Sequence, residues 1–203
     1  MIAVVDYGVG NLFSLASSLK KIGAQCVVTG EEKIIESADG IILPGVGAFA
    51  DAMQKLTDTG LVPVLQRQAT GGKPLLGICL GMQLLFDESF EYGKHKGLGF
   101  VNGSVSPIAD DLTQPLKIPH MGWNSLDFKK QSPLFKYIND GEYVYFVHSY
   151  YAKNCGDSVI ATANYGIDMT VAVQNKNVFG TQFHPEKSGD AGLKILAAFA
   201  EMK

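Results

Sequence analysis

The apolar positions of this chain change period repeatedly over its first eighty residues. "IAVVD" (2–6), "QCVVT" (25–29), "GIILPG" (40–45) and "PLLGIC" (74–79) are short runs, rich in β-branched residues or leucine and bounded by turn formers or charges. Between them the spacing turns helical, over Asn11–Ile22, over Ala48–Gln68, and again from Leu80 onward. Buried strands alternating with helices predict an α/β fold, with a mostly parallel central sheet flanked by helices. Right-handed crossovers then gather the strand C-terminal ends along one edge, where such sheets hold their sites. Cys79, the Gly45–Gly47 turn and the Gly8–Asn11 turn all fall at such ends.

From about residue 97 the pattern becomes one of short strands. "LGFVNGSV", "LKIP", "WNSLDF", "EYVYFVHSYY", "SVIATANY", "MTVAVQ" and "NVFGTQFH" are separated by tight turns such as "NYGID" and "QNKN". This predicts an antiparallel strand extension in the second half rather than more βαβ units. A helix over Ala191–Met202 closes the chain. With no repeat, low-complexity tract or linker, 203 residues read as one domain with a substantial core.

Charge and composition narrow the function. A net charge of −3 argues against nucleic-acid or anionic-membrane binding, and no apolar run approaches a membrane span. "MIAVVDYGVGN" lacks the basic start of a signal peptide. Three cysteines without a CxxC pair read as reduced thiols in a cytoplasmic protein. His95, His120, His148 and His184 show no ligand spacing, so no metal is expected. "DYGVGN" lacks the third glycine of a dinucleotide fingerprint, so no NAD or FAD binding is expected.

The candidate chemistry starts at Cys79, in "GICLG". A nucleophile standing on a strand-to-helix elbow has its backbone so crowded that residues two positions either side must be small, as in G-x-S-x-G hydrolases. The helix starting at Leu80 points its N-terminus at the sulfur, which favours the thiolate, and the Leu80 amide is placed to donate to an oxyanion. A buried packing cysteine between glycines is the alternative. "FGTQFHPEKSG" supplies the partners a thiol needs: His184 as base and Glu186, two residues on in an extended segment, as its orienting acceptor. Alone, H-P-E would read as a turn with a solvated carboxylate. In "LPGVGAF" the amides of Val46 and Gly47 are candidate oxyanion donors, unless the segment is a plain βα turn. Gln83 lies one helical turn beyond Cys79, either recognising a polar substrate group or standing as a surface glutamine.

These residues resemble those of class I (triad) glutamine amidotransferases. The resemblance runs nearly end to end, and "DYGVGN", "GICLGMQ" and "PHMGWN" (119–124) narrow it to the glutaminase subunits of imidazole glycerol phosphate synthases. It implies a flavodoxin-like class I glutaminase fold. It further implies that Cys79, His184 and Glu186 hydrolyse L-glutamine to glutamate and ammonia without a cofactor. The oxyanion donors would be Leu80 and the Val46–Gly47 turn. Substrate contacts would come from Gly47, Gln83 and Glu91, with backbone from His148, Ser149 and Tyr150. Glu91 would otherwise read as part of a solvated helix end. The implied partner is a (β/α)8-barrel cyclase, in a heterodimer that receives the ammonia. Another glutaminase or a γ-glutamyl hydrolase would keep the elbow and H-P-E without "PHMGWN". A non-catalytic interaction subunit would have no need to keep all three of Cys79, His184 and Glu186.

Overall fold

The computed structural model describes residues 1–202. Its first half runs β1 (Ile2–Val5), α1 (Leu12–Lys21), β2 (Cys26–Thr29), α2 (Glu32–Ser37), β3 (Gly40–Gly45), α3 (Phe49–Asp58), α4 (Leu61–Thr70), β4 (Leu75–Cys79) and α5 (Leu80–Leu84). The second half continues with β5 (Phe86–Ser89), β6 (His95–Lys96), β7 (Val101–Pro107), β8 (His120–Ser125), β9 (Asp127–Phe128), β10 (Tyr143–His148) and β11 (Tyr150–Lys153). It ends in β12 (Val159–Asn164), β13 (Asp168–Asn175), β14 (Val178–Thr181) and α6 (Gly189–Ala200).

The main sheet is ordered β2-β1-β3-β4-β14-β13-β11-β7-β5-β6, and β8 and β10 form a separate antiparallel pair. β2, β1, β3, β4 and β14 are parallel neighbours. From β13 the pairing becomes mixed, antiparallel except where β5 meets β7. The α/β expectation with a mostly parallel centre therefore holds. Strand period divides the core into two layers. Val4, Ile42, Leu76 and Ile78 pack with Leu15 and Leu19 of α1 and Ile195 and Phe199 of α6. Ala3, Val5, Ile41, Leu43 and Leu75 face the other way, against Ile35 of α2, Leu56 of α3 and Leu65 of α4.

Four local expectations need correction. The helix expected over Ala48–Gln68 is two helices, α3 and α4, parted where Gly60 adopts a left-handed φ of 72°. α2 was not anticipated from the pattern. "LKIP" is not a strand. The helix after Cys79 has only five residues and gives way to β5. The Leu84, Leu85 and Phe86 carbonyls, which a longer helix would have used, accept instead from the amides of residues 98–101 at 2.8–3.1 Å. Neighbouring Gly97 passes so close to Phe86 that an added Cβ would lie 2.2 Å from its carbonyl oxygen.

Among the described residues no helix is long and apolar enough to cross a membrane.

Candidate active site

Register assembles the site. Gly45 pairs with Cys79 across β3 and β4, and Thr181 pairs with Ile78 across β14 and β4. Three adjacent parallel strands thus end at one point, carrying the glycine turn, the thiol and the segment leading to His184.

Cys79 has φ 55° and ψ −112°, a conformation that costs a non-glycine residue about 1–3 kcal/mol. Its neighbours enforce it. A Cβ on Gly77 would lie 2.6 Å from the Gly81 carbonyl oxygen, and one on Gly81 would lie 1.9 Å from the Leu43 carbonyl oxygen. The small residues at plus and minus two are therefore a steric requirement of the elbow. The strained corner lifts the thiol to the floor of a cleft of about 630 Å³, 8% exposed.

His184 Nδ1 lies 2.8 Å from Glu186 Oε1, with both side chains almost completely buried. His184 is extended, at φ −98° and ψ 99°, but Glu186 lies in a 3-10 turn over Pro185–Lys187 rather than continuing an extended segment. The turn brings the carboxylate back under the ring. Burial pulls the His184 pKa down, but hydrogen bonds to Cys79 and Glu186 and their charges outweigh it and hold it up at about 9. The second carboxylate oxygen, Oε2, is buried and has no partner among the described residues.

Val46, Gly47 and Leu80 line the same cleft. Among the described residues the Val46 and Gly47 amides donate to no protein acceptor, so both are available to an oxyanion. Gly47 has φ 96°, which glycine alone tolerates without strain. Two groups brace the turn. The buried Tyr7 hydroxyl donates to the Pro44 carbonyl at 2.7 Å. Glu91 Oε2 accepts from the Phe49 amide at 2.5 Å and so caps α3, whose own N-cap, Ala48, offers no side chain. Glu91 is buried at the cleft wall, not solvated.

Gln83, His148, Ser149 and Tyr150 also line the cleft. Gln83 Nε2 donates to the Tyr150 carbonyl at 3.2 Å and to Gln182 Oε1 at 3.0 Å, and its Oε1 has no donor among the described residues. The Ser149 carbonyl already accepts from the Ile108 amide. His148 Nδ1 lies 2.8 Å from the Tyr150 carbonyl, and its Nε2 lies 2.9 Å from His120 Nδ1. Burial drives the pKa of His120 down to about 4. It drives that of His148 to about 3, where the Tyr150 bond opposes the shift and the His120 and His184 charges add to it. Both rings are neutral at pH 7.

The sequence reading missed Gln182, Tyr7 and His120 as parts of this site. Gln182 had a usable signal: it stands two residues before His184 in a strand-like run, so the two share a face.

A strained cysteine, an imidazole–carboxylate pair and free backbone donors meet on an α/β sheet edge, the layout that thiol-dependent hydrolases require. A family model for class I glutamine amidotransferases matches residues 3–202. Relatives named imidazole glycerol phosphate synthase subunit HisH are similar over nearly the whole chain. The one from Geobacillus kaustophilus is 50% identical, covering 97% of this chain and 94% of its own length. That from Caldanaerobacter subterraneus is also 50% identical, over 100% and 98%. The chain belongs to the class I glutamine amidotransferase family, in its branch of imidazole glycerol phosphate synthase HisH subunits. The fold is shared more widely. A crystal structure of a glutamine amidotransferase superposes with a TM-score of 0.76 at 20% identity, covering 98% of this chain and 99% of the other. The PurLQS structure from Thermotoga maritima gives 0.75 at 20% identity, covering 98% and 96%.

Proposed function

We propose that this protein is the glutaminase of a histidine-biosynthetic imidazole glycerol phosphate synthase and works through Cys79, His184 and Glu186. The observation that carries the reading is the left-handed Cys79 corner beside the 2.8 Å His184–Glu186 pair, in a chain of the HisH branch. The Cys79 sulfur, its proton already held by His184, attacks the side-chain amide of glutamine, and His184 passes that proton to the departing ammonia. The Leu80 amide and the Val46–Gly47 turn receive the oxyanion, and a glutamyl thioester remains. Water, activated by His184, then releases glutamate. Gly47, Gln83 and Glu91, with backbone from His148, Ser149 and Tyr150, form the wall against which the substrate lies.

The ammonia passes to a (β/α)8-barrel cyclase subunit. There it converts a phosphoribulosyl formimino-aminoimidazole carboxamide ribotide to imidazole glycerol phosphate and an aminoimidazole carboxamide ribotide. The surface supports such a partner: Met121 and Trp123 share one face of β8 and are 61% and 56% exposed. Ile118, just before that strand, lines the cleft. Exposed apolar side chains grouped on one face mark a docking surface.

Replacing Cys79 with alanine tests the reading. Glutamine-dependent synthesis should vanish in the complex while ammonium-dependent cyclisation persists. A diazo-ketone analogue of glutamine should label Cys79 rather than Cys26 or Cys155; labelling chiefly at either of those would exclude the mechanism.

A further inference from the structure

Gln182 is fully buried, and its Nε2 lies 3.8 Å from the Cys79 sulfur. An amide can present either its N–H or its oxygen, so the chemistry depends on which way the side chain is turned. Here the surroundings decide. The Tyr150 carbonyl can only accept, and two groups point at it. Gln83 must therefore turn its Nε2 toward that carbonyl. The same nitrogen reaches Gln182, which must then turn its Oε1 toward Gln83 and its N–H toward sulfur. On the other side His148 must donate from Nδ1 to the same carbonyl. The neutral ring then accepts at Nε2 from His120 Nδ1–H, and His120 accepts at Nε2 from Asn124 Nδ2, 3.3 Å away. One backbone carbonyl thus sets the polarity of every bond from Asn124 to Cys79.

We propose that Gln182 is a catalytic residue of the glutaminase, a fixed N–H donor that stabilises the Cys79 thiolate. The proposal deepens the reading above and rests on Cys79 as nucleophile. A donor aimed at the charged form favours that form. The need is real at this corner. α5 has only five residues, so the dipole expected from the sequence is that of little more than one turn. Gln182 cannot rotate away, because its oxygen is held by Gln83 and its backbone amide by the Val171 carbonyl at 2.8 Å. A preset donor costs no reorganisation at the moment of reaction.

The test is the pH dependence of Cys79 alkylation by iodoacetamide, which needs no glutamine turnover and so stands apart from the fate of the glutaminase reading. A hydrogen bond to a charged group, at the weak end for so long a contact, corresponds to roughly a tenfold change in thiolate population. Gln182→Met, similar in shape but without the donor, should move the alkylation midpoint upward by about one pH unit with the high-pH rate unchanged. Gln182→Glu keeps an acceptor for Gln83 and turns a carboxylate oxygen toward sulfur, so its midpoint should move further. A residue needed only for packing would lower the melting temperature and leave the midpoint in place, and that result in either folded variant overturns the proposal. The wild-type protein gives a reading without any change at residue 182. In a subunit labelled with 15N-glutamine, the Gln182 side-chain amide should shift as Cys79 titrates, and stay still in Cys79→Ala. An unmoved amide while Cys79 titrates overturns the assignment as well.

Discussion

His184 is held up at about 9, while His120 and His148 are pushed down to about 4 and 3, so the buried imidazoles titrate on opposite sides of neutrality. Unfolded histidine titrates near 6.5. Between pH 6.5 and 9 the native protein keeps a proton on His184 that the unfolded chain has released, so stability falls as pH rises through that window. Below 6.5 the unfolded chain gains protons that the buried His120–His148 pair refuses, so stability falls again toward pH 4. Urea midpoints measured from pH 4 to 9 should therefore peak near 6.5, and the double variant His184→Ala/Glu186→Ala, which leaves no orphaned carboxylate, should lose only the alkaline limb. An alkaline limb unchanged in that variant would mean that His184 is not charged in the native state. These opposite shifts were not legible in the sequence. His148 and His120 stand 28 residues apart on paired strands, and only their register makes them neighbours.

At the scale of elements, the β4–α5 elbow is the part that sequence and structure describe in the same terms. G-x-C-x-G told of crowding two residues either side, and the crowding is there: backbone atoms, not flexible side chains, meet any Cβ at 77 or 81. Gly81→Ala should lose at least about 3 kcal/mol of stability, because the Leu43 carbonyl it would strike belongs to a central strand that cannot give way. Gly47→Ala meets nothing within 4 Å and should cost only the strain of its positive φ, about 1–2 kcal/mol. Thermal melts of the two variants compare them directly, and equal losses would refute the steric account. Beyond the elbow the sequence was a poorer guide. "LLFDES" carries spacing that suits a helix, and nothing in it announces that residues 98–101 will claim its carbonyls. For Gln182 the sequence offered the face it shares with His184, but not its partner Gln83, which lies 99 residues away.

At the scale of the whole molecule, Ile118 lines the cleft and Met121 and Trp123, three and five residues on, are exposed, which suits a glutaminase governed by its partner. The Pro44–Gly45–Val46–Gly47 turn is the place where such control would act. Its glycines permit a peptide flip that turns an N–H toward or away from the oxyanion, and one missing donor costs roughly 10²–10³ in rate. Glutamine hydrolysis is expected to be slow in the isolated subunit and to rise by about two orders of magnitude or more when the barrel carries its nucleotide ligand. Trp123→Ala should weaken the complex and reduce that gain at subsaturating barrel. Equal glutamate production by the subunit alone, with the empty barrel and with the liganded barrel would leave no role for either the partner or the flip.

The unpartnered Oε2 of Glu186 also bears on how this lineage can change. Among the described residues His184 is the ion-pair partner of Glu186, and a buried carboxylate deprived of such a partner typically destabilises a fold by about 3–5 kcal/mol. His184→Ala alone should accordingly melt below the double variant His184→Ala/Glu186→Ala, in which no orphaned charge remains, and the reverse order would refute the reasoning. If it holds, descendants released from selection for glutamine hydrolysis cannot drift freely at these two positions. Losing the histidine first crosses a valley in fitness, so the route out of catalysis opens at the glutamate.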